Sequence, residues 1–279
     1  MREIKAETIV STVRDLCIEA CCVLPNDLCD SFCAGKAQEE SEIGKSIFDV
    51  MIENAEYAKT ATIPACQDTG MAVVFVELGQ DIHVVGNFED AIHEGVRRGY
   101  VEGCLRLSVV GDPLRRVNTN DNTPAIIHTR VVPGDRLTIT VAPKGFGSEN
   151  MSAMRMFKPA NTADDVCDFV VECVSKAGSN PCPPVVVGVG LGGTIERAAL
   201  CAKHALTRDI GSVNPDPLYA ELERKTLEKI NALGIGPQGL GGTVTALAVH
   251  FEPFATHIAG LPCVVNMGCH ITRHASAVL

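Results

Sequence analysis

The chain has 279 residues, with 24 Lys plus Arg against 34 Asp plus Glu, a formal net charge of −10 at neutral pH. The basic residues are scattered, clustering no more tightly than pairs such as Arg97-Arg98 and Arg115-Arg116, so nothing offsets the repulsion of a polyanion and nucleic acid is not an expected partner. Hydrophobic residues at 46% and charged residues at 21% exclude a disordered or collagen-like chain.

In chain order, Lys5 to Glu56 carries helical periodicity: Ile9, Val13, Leu16, Ile18 and Ala20, then Leu28, Phe32 and Ala34, then Ile47, Val50 and Met51. Pro25-Asn26-Asp27 separates the first two helices. Met71 to Leu78 is β-branched and aromatic and predicts a strand, after which Asn87 caps a helix running to about Gly103. Leu137 to Val141 alternates with period two, a further strand. A helix from Asp164 to Lys176, a buried-type strand from Pro184 to Val189, and helices over Thr194–Leu206 and Pro217–Leu233 follow. Val244 to Val265 predicts two or three strands. The pattern is α+β, a helical N-terminal region followed by mixed α/β lobes, and without repeats or linkers residues 1–279 are expected to form a single domain of two intimately packed lobes.

The longest apolar run, Val185 to Leu191, is interrupted by Gly188 and Gly190 and falls far short of the ~20 residues that span a bilayer, so no membrane association is expected. The opening Met1-Arg2-Glu3-Ile4-Lys5-Ala6-Glu7 does not fit a secretory signal, and a cytoplasmic, reducing location is expected. Thirteen cysteines, an odd number in a long chain, then read as free, metal-bound or reactive thiols. The pairs Cys17/Cys21 and Cys29/Cys33 lie one helical turn apart, where core packing is the favoured role. Cys66, Cys182 and Cys269 differ, because each falls in a turn beside Gly, Pro or polar residues next to a predicted strand. They are too far apart in sequence for a zinc ribbon, whose ligands pair about two to four residues apart. Three thiolates brought together at a junction of lobes can instead hold three irons of a 4Fe-4S cluster and leave the fourth open as a Lewis acid.

The strings around these residues carry a resemblance. Ala65-Cys66-Gln67-Asp68-Thr69-Gly70, Asn180-Pro181-Cys182-Pro183-Pro184-Val185-Val186-Val187-Gly188-Val189-Gly190 and Gly234-Ile235-Gly236-Pro237-Gln238-Gly239 are similar to those of the iron-sulfur hydro-lyases. Over nearly its whole length the chain resembles the α subunit of class I fumarases, and the α subunit of L-tartrate dehydratases is the nearest alternative. Leu105-Arg106-Leu107-Ser108, Arg116 to Pro124 and Lys144 to Met151 are more similar to the fumarase branch.

The resemblance implies a class I fumarase type of fold and reversible hydration of fumarate to (S)-malate. It implies that Cys66, Cys182 and Cys269 ligate a 4Fe-4S cluster, and that Gln67, Asp68, Arg106, Gly147 and His257 face a small dicarboxylate, with Asp68 and His257 catalytic. It implies a separate β subunit carrying the carbon base, in an α2β2 assembly, and a chain inactive alone. These residue types suit the chemistry: Arg clamps a carboxylate with two parallel hydrogen bonds, Asp moves a proton at a hydroxyl, and Gly145 and Gly147 let backbone N–H groups approach a ligand.

Plainer roles stand beside these. Asp68 suits an Asx turn before Gly70, His257 a satisfied core histidine, and Arg106, at a strand-like position between leucines, is costly if buried without a partner. Gly188-Val189-Gly190-Leu191-Gly192-Gly193 matches the dinucleotide fingerprint and supports a second functional class, a nucleotide-binding or redox iron-sulfur protein. Close strand-to-helix packing is the better reading of those glycines, with the helix begun at Thr194 and Glu196 placed beside the cluster or a substrate anion.

Overall fold

A computed structural model describes residues 2–279. In chain order it runs β1 (Arg2–Lys5), α1 (Ala6–Cys22), α2 (Asn26–Gln38), α3 (Glu42–Ala61), β2 (Met71–Gly79), β3 (Ile82–Val85), α4 (Phe88–Glu102), β4 (Ile126–Val132), β5 (Leu137–Lys144), α5 (Phe146–Glu149) and β6 (Ala153–Phe157). It continues through α6 (Ala163–Ala177), β7 (Val185–Gly192), α7 (Ile195–Ala205), α8 (Pro217–Asn231), β8 (Ala246–Phe254), β9 (Leu261–Gly268) and β10 (Ala275–Val278). The fold is α+β, with a helical N-terminal region followed by mixed α/β structure. No helix among the described residues is long and apolar enough to cross a membrane.

The chain divides into two compact units. The first takes the residues up to Pro25, Ala55–Phe146 and Arg273–Leu279. Its main sheet has the order β10-β5-β2-β4, with β5 antiparallel to β2 and β10 and β4 parallel to β2. Alternate residues of β2 and β5 (Ala72, Val74, Val76, Leu137, Ile139, Val141) bury one face under Ile9, Val13, Leu16 and Ala20 of α1 and Ile92, Val96 and Tyr100 of α4. Asn87 caps α4, its Oδ1 accepting from the Asp90 N–H at 3.2 Å.

The second unit takes Asn26–Asn54 and Gly147–Thr272, and its sheet has the order β6-β9-β7-β8. Val166, Val170 and Val174 of α6 and Leu222 and Ile230 of α8 share a core with Val185, Val187 and Val189 of β7 and Val265 and Met267 of β9. On β7 the interposed Gly188 and Gly190 face α7. A Cβ at Gly190 would lie 1.9 Å from the Ala198 carbonyl oxygen, and one at Gly188 2.1 Å from that of Ala202. The fingerprint-like glycines are therefore consumed by strand-to-helix contact.

The described strands β1, β3, β4, β6 and β10 were not expected from the sequence. Each of β1, β3 and β10 has only four residues, and edge strands β4 and β6 show mostly exposed or half-buried positions instead of a clean alternation. Arg106 is not in a strand: it follows α4 in an extended segment with its side chain exposed, which removes the burial cost expected for it.

Glu39, just past α2, is buried, yet it accepts from the backbone N–H groups of Ser41, Thr243 and Val244 at 2.9–3.0 Å. Burial pushes its carboxyl up, but these bonds outweigh it and hold it below the ordinary carboxylate range. A depressed folded-state value stabilises the fold above the unfolded value and loses that contribution as pH falls through the folded one. Glu39→Gln is expected to lower neutral-pH stability by about 1–3 kcal/mol, with the gap to wild type narrowing in acid, in denaturant titrations at several pH values. Gly190→Ala, which forces a methyl into the α7 backbone, is expected to cost ~3 kcal/mol or more in the same assay.

Candidate functional site

In the first unit the Cys66–Gly70 loop joins α3 to β2. The Ala65 N–H donates to the Cys21 carbonyl at 2.9 Å, fixing the start of the loop on α1. Cys66 is half-buried and its Sγ lies 3.1 Å from Gln67 Oε1, while the Gln67 side chain is exposed. Asp68 Oδ1 accepts from the Gly70 N–H at 3.1 Å, the Asx turn anticipated from sequence, and Oδ2 accepts from the Phe146 N–H at 2.9 Å. Gly145 makes room for that carboxylate, since its Cβ would lie 3.1 Å from Oδ2. Gly70 has φ +70 and a Cβ there would sit 2.4 Å from the Lys144 carbonyl carbon, so no other residue fits. The result is a half-buried carboxylate of fixed orientation with lone pairs to spare.

Thr69 is buried, and its Oγ1 accepts from the Arg106 N–H at 2.9 Å. The phenol of Tyr100, kept protonated by burial, donates to the Thr69 carbonyl at 2.9 Å. Buried Asn122 accepts from the N–H groups of Ser108 and Val109 at 2.7 and 3.2 Å and donates to the Gly70 carbonyl at 3.1 Å. A guanidinium N–H of buried Arg273 donates to the Asp68 carbonyl. The structure therefore brings together Cys66, Gln67, Asp68 and the backbone of Arg106, whose charged end reaches solvent. Nothing in the sequence marked Thr69, Tyr100 or Arg273 for this frame, because their partners are backbone groups remote along the chain.

In the second unit Cys182 precedes β7 and Cys269 directly follows β9. The antiparallel register that sets Val186 against Gly268 puts both at one end of the sheet. The Cys182 carbonyl accepts from the His270 N–H at 3.2 Å and lies 3.0 Å from His270 Nδ1. The Thr272 hydroxyl donates to the Cys269 carbonyl at 2.6 Å. Cys182 is exposed and Cys269 half-buried. Gly147 is exposed in α5, and a Cβ there meets only the Asn180 carbonyl oxygen at 3.6 Å, so packing does not demand glycine at that position.

His257 is placed elsewhere. It follows β8, which runs parallel to β7, and the neighbouring Thr256 hydroxyl bonds the Gly193 carbonyl at 3.0 Å, beyond the far end of β7. Eight residues of β7 separate that end from the cysteines, roughly 26 Å at strand rise. His257 is exposed, not a core histidine. Its Nδ1 accepts from the Ala259 N–H at 3.1 Å, and it lines an open cavity of about 450 Å³ with Arg197, Phe254 and the start of α7. The N-terminus of α7 shares this location, so within the unit it is remote from Cys182 and Cys269, contrary to the sequence expectation.

Of the other ten thiols seven are buried, whereas Cys29 is half-buried and Cys33 and Cys104 are exposed. Burial pushes Cys17 well up, Cys21, Cys173 and Cys201 to about 11, and Cys263 to about 12, so these stay protonated at neutral pH and are poor metal ligands. Among the described residues, no three His, Cys, Asp or Glu side chains within either unit form a metal-holding group. Exposure alone does not single out the three loop cysteines, but among the thiols that are not buried Cys182 and Cys269 share one end of the second unit's sheet.

A fumarate hydratase (fumerase) family model matches residues 10–278. The chain belongs to this family of hydro-lyases. A protein of Methanocaldococcus jannaschii provisionally named L(+)-tartrate dehydratase subunit alpha is 41% identical over 274 residues, 96% of each chain. The L(+)-tartrate dehydratase subunit alpha of Escherichia coli K12 is 34% identical over 260 residues, 92% of this chain and 86% of its own. That of Escherichia coli UTI89 is 35% identical over 257 residues, 91% and 84%.

Within this hydro-lyase, Thr69→Ala removes the acceptor for the Arg106 N–H without touching a charged group. It is expected to cost about 1–3 kcal/mol in urea unfolding; an unchanged midpoint contradicts the frame described.

Proposed function

We propose that this chain is the α subunit of a two-subunit hydro-lyase that moves water across a carbon–carbon bond of a four-carbon dicarboxylate, with a 4Fe-4S cluster ligated by Cys66, Cys182 and Cys269. The observation that carries the reading is the placement of the loop thiols: Cys182 and Cys269 share one end of the second unit's sheet and Cys66 lies in a solvent-reaching loop, while burial raises Cys17, Cys21, Cys22, Cys173, Cys201 and Cys263. When bound, a cluster with one iron free of protein ligands supplies Lewis acidity toward the substrate's hydroxyl and carboxylate.

The chain's own residues bind and move protons. The exposed Arg106 guanidinium clamps a substrate carboxylate, and the Gln67 amide hydrogen-bonds its neighbour. Asp68, its carboxylate held by the N–H groups of Gly70 and Phe146, exchanges a proton with the departing or arriving hydroxyl. Gly147 offers an unobstructed backbone. His257 is left out of this constellation, because within its unit it lies at the other end of the sheet from Cys182 and Cys269. The base acting at carbon resides on a separate β subunit, as the name "subunit alpha" of the relatives supports, in an α2β2 enzyme of the cytoplasm.

Two substrates are in contention. The strings at Arg106, Asn118 and Lys144 favour fumarate and (S)-malate, whereas the relatives named above favour L(+)-tartrate. The other class, a nucleotide binder, is opposed by Gly188 and Gly190, whose open sides are filled by α7. A redox role predicts reversible cluster reduction indifferent to substrate.

The test is an anaerobic assay of the chain reconstituted with its β partner, using fumarate, mesaconate and L(+)-tartrate side by side. One of the first and last is expected to exceed the others by about 100-fold and to perturb the cluster's EPR signal. Cys269→Ser is expected to lower bound iron and turnover together, by about 100-fold in rate. Iron and rate both unchanged would refute the ligand assignment.

A further inference from the structure

The Gly-Pro-Gln-Gly string is not absorbed by the chemistry above, yet it folds against the cysteine-bearing end of the second unit. Pro237–Gly239 forms a single 3-10 turn in which Gln238 has φ +54, a left-handed conformation uncommon for a residue with a side chain. Both the backbone N–H and the side-chain Nε2 of Gln238 donate to one acceptor, the Pro183 carbonyl, at 2.7 and 2.9 Å. The same Nε2 lies 3.2 Å from His270 Nδ1. Gly239, at φ +75, presses on the Cys182 loop so closely that a Cβ there would meet the Ser179 Cβ at 2.3 Å.

Pro183 is the residue after Cys182, and His270 the residue after Cys269. One amide therefore touches the immediate neighbour of each of two cysteines that are remote in sequence. His270 closes the triangle through the Cys182 carbonyl. Cys182 itself has φ +54, so its loop departs from the relaxed backbone and needs external bonds to persist. Glutamine suits the place because its primary amide presents two N–H donors from one nitrogen, one for the Pro183 carbonyl and one directed toward the His270 ring.

We propose that Gln238 is a positioning residue that fixes the separation of Cys182 and Cys269. The inference deepens the cluster reading given above and rests on it only for its consequence, not for its geometry. Gln238 touches neither sulfur. It sets the spacing of the two loops before any ligand arrives, as outer groups orient metal ligands generally.

The experiment uses the full chain in two states. In the metal-free, reduced chain, dibromobimane bridges two nearby thiols, each sulfur displacing one bromide, and mass spectrometry reports the yield of the Cys182–Cys269 link. In the anaerobically reconstituted chain, release of iron to a chelator reports cluster retention. Gln238→Gly keeps the left-handed backbone without strain and deletes the amide; Gln238→Glu keeps the shape but removes the donors.

Both variants are expected to retain the wild-type circular dichroism, to lower the bridging yield, and to speed iron release about tenfold. Wild-type bridging and iron retention in either folded variant would overturn the proposal. A lowered bridging yield in the variants, with no cluster assembling even in the wild-type chain, would uphold the positioning role and reject the cluster reading.

Discussion

The second unit depends on one register. With Val186 opposite Gly268, the strand that begins after Cys182 and the strand that ends before Cys269 present both cysteines at the same edge. A slip of one residue would turn every side chain of β9 to the other face, moving Asn266 from its bonds to Glu149 and Ser152 into the apolar cluster where Met267 now sits with Val187, Val265 and Phe251. The hydrophobic core thus enforces the position of the polar end. The glycines of β7 add to this by letting α7 settle directly on the strand, a contact with no slack in it.

The first unit reaches a comparable rigidity by different means. Its candidate residues lie outside regular structure, and side chains that bond backbone take the place of a ladder. Thr69 and Asn122 each join the Cys66–Gly70 loop to the Arg106–Val109 segment, and Asp68 joins it to the turn after β5. Buried amides and hydroxyls used in this way are costly to remove, because the N–H left behind is already out of water. Asp68 is both a member of this frame and a proposed proton carrier, so its two roles need separate readouts.

Backbone strain is distributed along the same segments. Among the described residues, those other than glycine with left-handed φ are Thr62, Cys104, Arg116, Asn120, Asn122, Cys182 and Gln238. Thr62 precedes the Cys66 loop, the next four bracket the Arg106 segment, and the last two form the cysteine clamp. Conformations of this kind cost of order 1–3 kcal/mol each and survive only where surrounding bonds over-determine them. For Asn122, Cys182 and Gln238 those bonds are the ones the Asn122 side chain makes and the ones accepted by the Pro183 and Cys182 carbonyls.

Legible from the residues alone were the α+β class, the main helices to within a few residues, strands β2, β5, β7, β8 and β9, the Asn87 cap, the Asx turn at Asp68, and the use of the β7 glycines for packing. These follow from periodicity, capping chemistry and the missing Cβ, all local properties. The sequence also singled out Cys66, Cys182 and Cys269, because Pro, Gly and polar neighbours mark loops. Short and edge strands escaped notice, since pairing rather than composition makes them. Folding contacts alone reveal that Arg106 is exposed, that His257 and the start of α7 lie across the sheet from two of the cysteines, and that Gln238 and His270 join the cysteine loops. Which end of a strand a residue occupies, and which carbonyl it meets, is fixed by register and by contacts between segments far apart in the chain, and neither leaves a periodic trace in the sequence.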